Sequence, residues 1–162
     1  MNWDPEQFRD ELLLIAKLGG VEMLSDSIDI EILKMPHKPP DNLPKGKMAI
    51  YVFSNKEHVL KVGKVGPNTQ SRYTSHHYNP DSSDYNLSKS LLADEHAKEK
   101  YGLSQETVGE WIKKNTDRVN FIVDADYYGP VLNLFEAFVQ CRLNPVYEGH
   151  ASRRKKSQRE TK

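Results

Sequence analysis

Apolar positions along the chain switch between helical and strand-like spacing in an order that predicts a small mixed domain. Phe8, Leu12 and Ile15, with Leu14 and Leu18 beside them, recur at helical spacing. The start of that helix is rich in signals: Asp4 as N-cap, Pro5 at the first helical position, Gln7 placed to close a capping box, and Trp3 and Phe8 placed as a hydrophobic staple. Gly19-Gly20 ends it. Alternation over Ile28, Ile30 and Ile32 predicts a short strand. Pro36, Pro39, Pro40 and Pro44 then exclude regular structure up to Lys45-Gly46.

Met48 to Phe53 and His58 to Val65 are rich in β-branched and aromatic residues, and the polar Ser54-Asn55-Lys56-Glu57 separates them, which predicts a hairpin. Its register decides which side chains meet, because a one-residue slip turns every side chain to the other face. An odd loop centred on Lys56 places Tyr51 directly across from Lys61, with Cβ atoms about 4.5–5.5 Å apart. A two-residue turn places them on opposite faces. Gly63, Gly66 and Pro67 end the second strand, and Asn68 or Thr69 can cap a helix running through Arg72 and His76. Four residues apart, these two share a helix face, while His77 points elsewhere and receives no catalytic part. A phenol, an ammonium, a guanidinium and an imidazole then converge at one end of a small sheet, a set suited to a phosphodiester.

His77 to Ser83 is loop by composition. Helical periodicity resumes over 86–101, stopped by Gly102, and over 105–115, where Ser104 caps and Val108, Trp111 and Ile112 form the buried edge. Arg118 to Asp124 is a hydrophobic run suited to the middle of a sheet. A last helix runs from Gly129-Pro130 to about Leu143, with Leu132, Phe135, Phe138 and Val139 as its apolar stripe and Asn133, Glu136 and Gln140 on another face. Asn144-Pro145 ends it. The expected fold is α+β: a small antiparallel sheet, hairpin plus third strand, flanked by helices, with an N-terminal helix and a helical insertion at 77–117.

With 162 residues, 37% hydrophobic and 28% charged, the chain has the composition of one soluble globular domain. No apolar run approaches the ~20 residues that span a bilayer. The acidic start lacks the basic region of a signal peptide, and the lone Cys141 excludes a disulfide framework or a cysteine-based zinc site within one chain. The six histidines show no ligand spacing. A cytoplasmic, intracellular setting is expected. Net charge is zero, but residues 1–33 hold eight acids against two bases and residues 152–162 hold six bases against one acid. The tail Ser152-Arg153-Arg154-Lys155-Lys156 attracts phosphate without reading sequence, and a merely solvated tail explains it equally well.

The order Ala49-Ile50-Tyr51, Lys61-Val62-Gly63, Arg72, His76, Glu136 and Asn144 resembles the GIY-YIG nuclease superfamily over roughly residues 48 to 149. It is similar in pattern to the compact restriction-endonuclease-like branches that carry lysine at the second signature tyrosine. Ala49 stands where the family usually has glycine, and Lys61 stands where it usually has tyrosine. On this resemblance, residues 1–47 are an N-terminal helix and Pro-rich tether, 48–149 the nuclease domain, and 150–162 a basic tail.

The resemblance implies a metal-dependent endonuclease that hydrolyses DNA. Tyr51 would be the base; forming its phenolate at pH 7 from a reference pKa of about 10 costs about 4 kcal/mol, and Lys61 across the hairpin would reduce that cost. Arg72 would grip the scissile phosphate through a bidentate fork, and His76 would relay or accept a proton. Glu136, the one family carboxylate, would bind Mg²⁺ (or Mn²⁺), whose other ligands are waters and phosphate oxygens. Asn144 would position the DNA backbone, with a helix C-cap as an equal explanation; Arg153, Arg154, Lys155 and Lys156 would add phosphate contacts. Cutting both strands with one site per chain favours a homodimer. The alternative is a catalytically inactive nucleic-acid-binding module of the same fold, and RNA in place of DNA would use the same residues.

Overall fold

The computed structural model describes residues 3–127 and 129–148 of the chain. Four strands form one antiparallel sheet: β1 (Ile28–Leu33), β2 (Lys47–Ser54), β3 (Val59–Val65) and β4 (Asp117–Asp124), in the order β1-β4-β2-β3. The fold is α+β, as expected, but the sheet has four strands where hairpin and third strand make three. The alternating Ile28-Ile30-Ile32 segment supplies the fourth, pairing along β4 from Ile28↔Val123 to Leu33↔Arg118. The first 47 residues therefore contribute a strand to the same sheet as the hairpin. The continuous hydrophobic runs of β2 and β4 make them the inner pair, buried on both sides over most of their length.

Alternation along β2 and β4 sends side chains to two different helical layers. Met48, Ile50 and Val52, with Val62, Val119, Phe121 and Val123, pack on α1 (Pro5–Leu18) and α6 (Pro130–Leu143) through Phe8, Leu12, Ala16, Phe135 and Val139. Ala49, Tyr51, Phe53, Val65 and Ile122 face the other way, onto α2 (Gln70–Thr74), α3 (Leu87–Leu92), α4 (Glu95–Tyr101) and α5 (Val108–Asn115). The helical insertion thus forms the roof over the face that carries Tyr51.

Local chemistry explains where the elements stop. Asp4 caps α1 by accepting from the Glu6 N–H at 3.0 Å, but no capping box closes, because the Gln7 amide donates to Glu11 instead. The periodic stretch 86–101 is two helices, since Asp94 caps α4 by accepting from the Ala97 N–H at 3.1 Å. The Arg72 helix also ends sooner than its spacing predicts. α2 stops at Thr74, and His76–Tyr78 form a separate 3-10 turn whose three side chains are buried rather than looped out.

Phe121 is fully buried on β4 between α1 and α6. Phe121→Ala is expected to cost about 3–5 kcal/mol. Urea denaturation checks this through a lower midpoint at unchanged slope.

Candidate active site

Two cross-strand rows carry the side chains that the sequence singles out. Glu31, Asn120, Tyr51 and Gly63 lie side by side in one; Leu33, Arg118, Phe53 and Lys61 form the next. Tyr51 is therefore opposite Gly63, and Lys61 is opposite Phe53, which corrects the expected Tyr51–Lys61 pair. Asn55 closes a two-residue turn with His58, and its side-chain oxygen accepts from the Glu57 and His58 N–H groups at 2.9 and 2.7 Å. That turn alone would put Tyr51 and Lys61 on opposite faces. A bulge follows: Ser54 pairs with Val59 and Phe53 with Lys61, leaving Leu60 extra, so the two residues return to one face but one pair out of step.

Gly63 lets the phenol reach the outer edge of the sheet. A Cβ at that position would lie 2.5 Å from Tyr51 Cζ and would overlap the hydroxyl oxygen, so the ring lies across the bare glycine backbone. Burial pushes the Tyr51 phenol well above its ordinary pKa; Arg72 and Arg118 pull it down and Glu136 pushes it up. Desolvation wins, so in the ligand-free protein Tyr51 is a neutral phenol. The cations that act on it are Arg72 and Arg118, while Lys61 stands one cross-strand pair away. Its ammonium donates to the Tyr147 carbonyl at 3.2 Å and ties the C-terminal segment to β3, alongside the Tyr147 N–H to Leu60 carbonyl bond of 2.8 Å.

Arg72 is partly exposed on α2 and makes no ion pair or side-chain hydrogen bond among the described residues. Its charge reaches Tyr51, His76 and His77. His76 Nδ1 meets the Ser82 hydroxyl at 2.8 Å, and its buried Nε2 has no hydrogen-bond partner among the described residues. Burial first, then Arg72 and Lys61, pushes His76 down to about 4, so it is neutral at pH 7. His77, set aside on helical geometry, is fully buried with its ring centroid 4.6 Å from that of Tyr51. The break between α2 and the 3-10 turn brings it there. Its Nδ1 accepts from the Leu87 N–H at 3.2 Å, which leaves the proton of the neutral ring on Nε2.

Glu136 approaches the β3 edge from the opposite side of the sheet, on α6. Its Oε2 accepts from Lys64 Nζ at 2.7 Å, and the same ammonium donates to Asn133 Oδ1 at 2.6 Å. Lys64 pairs with Ile50 and so faces away from Tyr51; alternation separates it from Gly63, but the hairpin register decides which face it takes. Two oxygens converging on an ammonium mark a place where the fold already holds a cation. One carboxylate and one amide oxygen also fit Mg²⁺, which commonly takes few protein ligands and completes its shell with water and phosphate. Among the described residues no group of three or more His, Cys, Asp or Glu side chains comes together, so such an ion would rest on Glu136 and Asn133.

Asn144 is exposed and caps α6 in the left-handed conformation (φ 45°, ψ 61°), its N–H bonded to the Gln140 carbonyl at 2.9 Å. Arg153, Arg154, Lys155 and Lys156 lie outside the described residues. Among the described residues no helix is long and apolar enough to cross a membrane. Compared with family models, curated proteins and solved structures, the chain matches none.

Gly63→Ala is expected to displace the Tyr51 ring and cost about 1–3 kcal/mol by overpacking, checked by urea denaturation. Three histidines, His37, His76 and His77, are all lowered in the fold. The unfolded chain takes up protons first as pH falls, so their contribution is intact above about pH 6.5 and is lost towards pH 4. Denaturation midpoints should fall between pH 7 and pH 5, and less steeply in His76→Gln.

Proposed function

We propose that this chain is a cation-dependent endonuclease hydrolysing DNA phosphodiester bonds at the edge of β3, with Tyr51, Arg72, His76 and Glu136 in the roles implied by the GIY-YIG resemblance. One observation carries this reading: the Tyr51 phenol lies across Gly63 of β3 while Glu136, from α6, meets Lys64, the next residue of the same strand, at 2.7 Å, and the charges of Glu136 and of Arg72 from α2 both bear on that phenol. Two remote segments of chain thus bring an anion-binding and a cation-binding group to the same edge.

Arg72, partly exposed and unpaired among the described residues, is free to meet a phosphate through its planar fork. Glu136 and Asn133 would hold Mg²⁺ or Mn²⁺, which when bound supplies Lewis-acid charge to the phosphate oxygens. A divalent ion there would take the place of the Lys64 ammonium and oppose the upward push of Glu136 on the Tyr51 phenol, which Arg72 and Arg118 pull down. Tyr51 is then the proton acceptor for the attacking water. A phosphate on Arg72 also cancels the first-ranked charge that depresses His76, so the imidazole becomes a better onward acceptor when substrate is present. Lys61 stays a structural tie, one pair removed from the phenol.

Asn144 and the tail residues Arg153, Arg154, Lys155 and Lys156 would extend the contact to neighbouring phosphates, and a homodimer would cut both strands. A second reading, a nucleic-acid-binding module without catalysis, draws on the burial that keeps Tyr51 protonated and on Lys64 already seated at Glu136.

Supercoiled plasmid should be nicked or linearised with Mg²⁺ or Mn²⁺, and Glu136→Ala and Tyr51→Phe should each lower the rate by about 100-fold or more. Undiminished cutting by Glu136→Ala rejects the assignment; DNA binding without cutting under any divalent metal favours the second reading. Where chemistry limits the rate, cleavage should rise about tenfold per pH unit from pH 6 to 9, because the base is mostly protonated there. A flat profile would remove Tyr51 from that role.

A further inference from the structure

Arg118 lies wholly inside the protein, on the sheet face that carries Tyr51. Its guanidinium carbon is 5.6 Å from the Tyr51 ring centroid, 5.1 Å from that of Phe53 and 5.0 Å from that of Tyr73. Nε donates to Asn120 Oδ1 at 2.9 Å and Nη1 to the Tyr78 hydroxyl at 3.3 Å, while Nη2 is buried with no hydrogen-bond partner among the described residues. Among the described residues no carboxylate forms an ion pair with it. Glu31 is held one amide away: the Asn120 amide donates to Glu31 Oε2 at 2.6 Å, and the Tyr73 hydroxyl donates to the same oxygen at 2.7 Å. Burying a guanidinium without a carboxylate in contact is costly, and an apolar side chain of similar volume would fill the same space at lower cost.

We infer that Arg118 is the resident cation of the candidate site, a positioning residue whose unpaired charge is held against the Tyr51 ring in the role the hairpin pattern assigned to Lys61. What that charge is for rests on the nuclease reading. The choice of Asn120 rather than a carboxylate beside the guanidinium leaves the charge uncancelled where the phenol meets it. The charge opposes the upward push of burial on Tyr51, Tyr73 and Tyr78 and helps keep His37 and His77 neutral. The other groups facing Tyr51 are Arg72 from α2, Glu136 from α6 and the neutral His77 from the 3-10 turn. Lys61, from β3, turns its ammonium to the Tyr147 carbonyl instead.

A fluorinated tyrosine placed at position 51 of the full chain, in EDTA, reports ionisation of this phenol by ¹⁹F NMR without any turnover. Arg118→Met should raise the midpoint by about one pH unit or more, and Lys61→Met by less than about half as much. Arg118→Gln, which removes the charge but keeps a donor for Asn120, should also raise the midpoint. A folded Arg118→Met protein with an unmoved or lowered midpoint overturns the assignment, as does an equal shift on Lys61→Met. Where Arg118→Met does not fold, Arg118→Gln decides: an upward shift supports the inference, an unmoved or lowered midpoint ends it. A raised midpoint in variants of a wild-type protein that cuts no plasmid leaves Arg118 in place and rejects the nuclease reading instead.

Discussion

The register between β2 and β3 is the constraint on which the candidate site depends. It sets Gly63 beneath Tyr51, and only a residue without a Cβ leaves room for a phenol to cross the strand and reach its outer edge. A slip of one residue would turn Gly63 to the α1–α6 face and set Val62 or Lys64 opposite Tyr51, whose own face β4 fixes. A slip of two would lay it over Lys61 or Val65. The Asn55 turn and the extra Leu60 therefore do more than close a hairpin: they decide which side chain the phenol rests on.

Around that phenol the sheet separates charges by face. Arg118, Lys61, His76 and His77 gather with Tyr51 under the helical insertion, where burial penalises ionised forms and keeps both imidazoles neutral. Glu136 and Lys64 stand on the α6 side of the same edge. The outer strand β3 thus lies between a cation-holding carboxylate and a buried phenol. That edge carries the partly exposed Arg72 guanidinium on one side and the Lys64–Glu136 ion pair on the other.

The buried polar network gives the insertion its fixed position. From Glu31 on β1 it runs through Asn120 and Arg118 on β4 to the Tyr78 hydroxyl, then to His37, whose other ring nitrogen meets the Thr116 carbonyl at 2.8 Å. Such a chain ties the Pro-rich segment, the 3-10 turn and the end of α5 to the sheet. Among the described residues each link is satisfied except at Arg118 Nη2. In a dry interior, an open donor of this kind makes the network responsive to the charge beside it.

Periodicity and caps, which are properties of neighbouring residues, determined α1, the hairpin, β4 and α6 from sequence alone. They also placed Tyr51 on a strand and put Glu136 off the apolar stripe of its helix. Alternation separated Lys64 from Gly63, but the hairpin register decided which face it takes. Partners distant in the chain were not legible. The bulge that moves Lys61 opposite Phe53 depends on how the β3 edge meets residues 146–147 and the strand beside it, and the burial of His77 depends on a helix ending at Thr74 under the insertion. Arg118 reads as an ordinary strand arginine until packing encloses it. Local spacing specifies which residues share a face; desolvation and charge act through space, and only the assembled layers decide what each residue meets there.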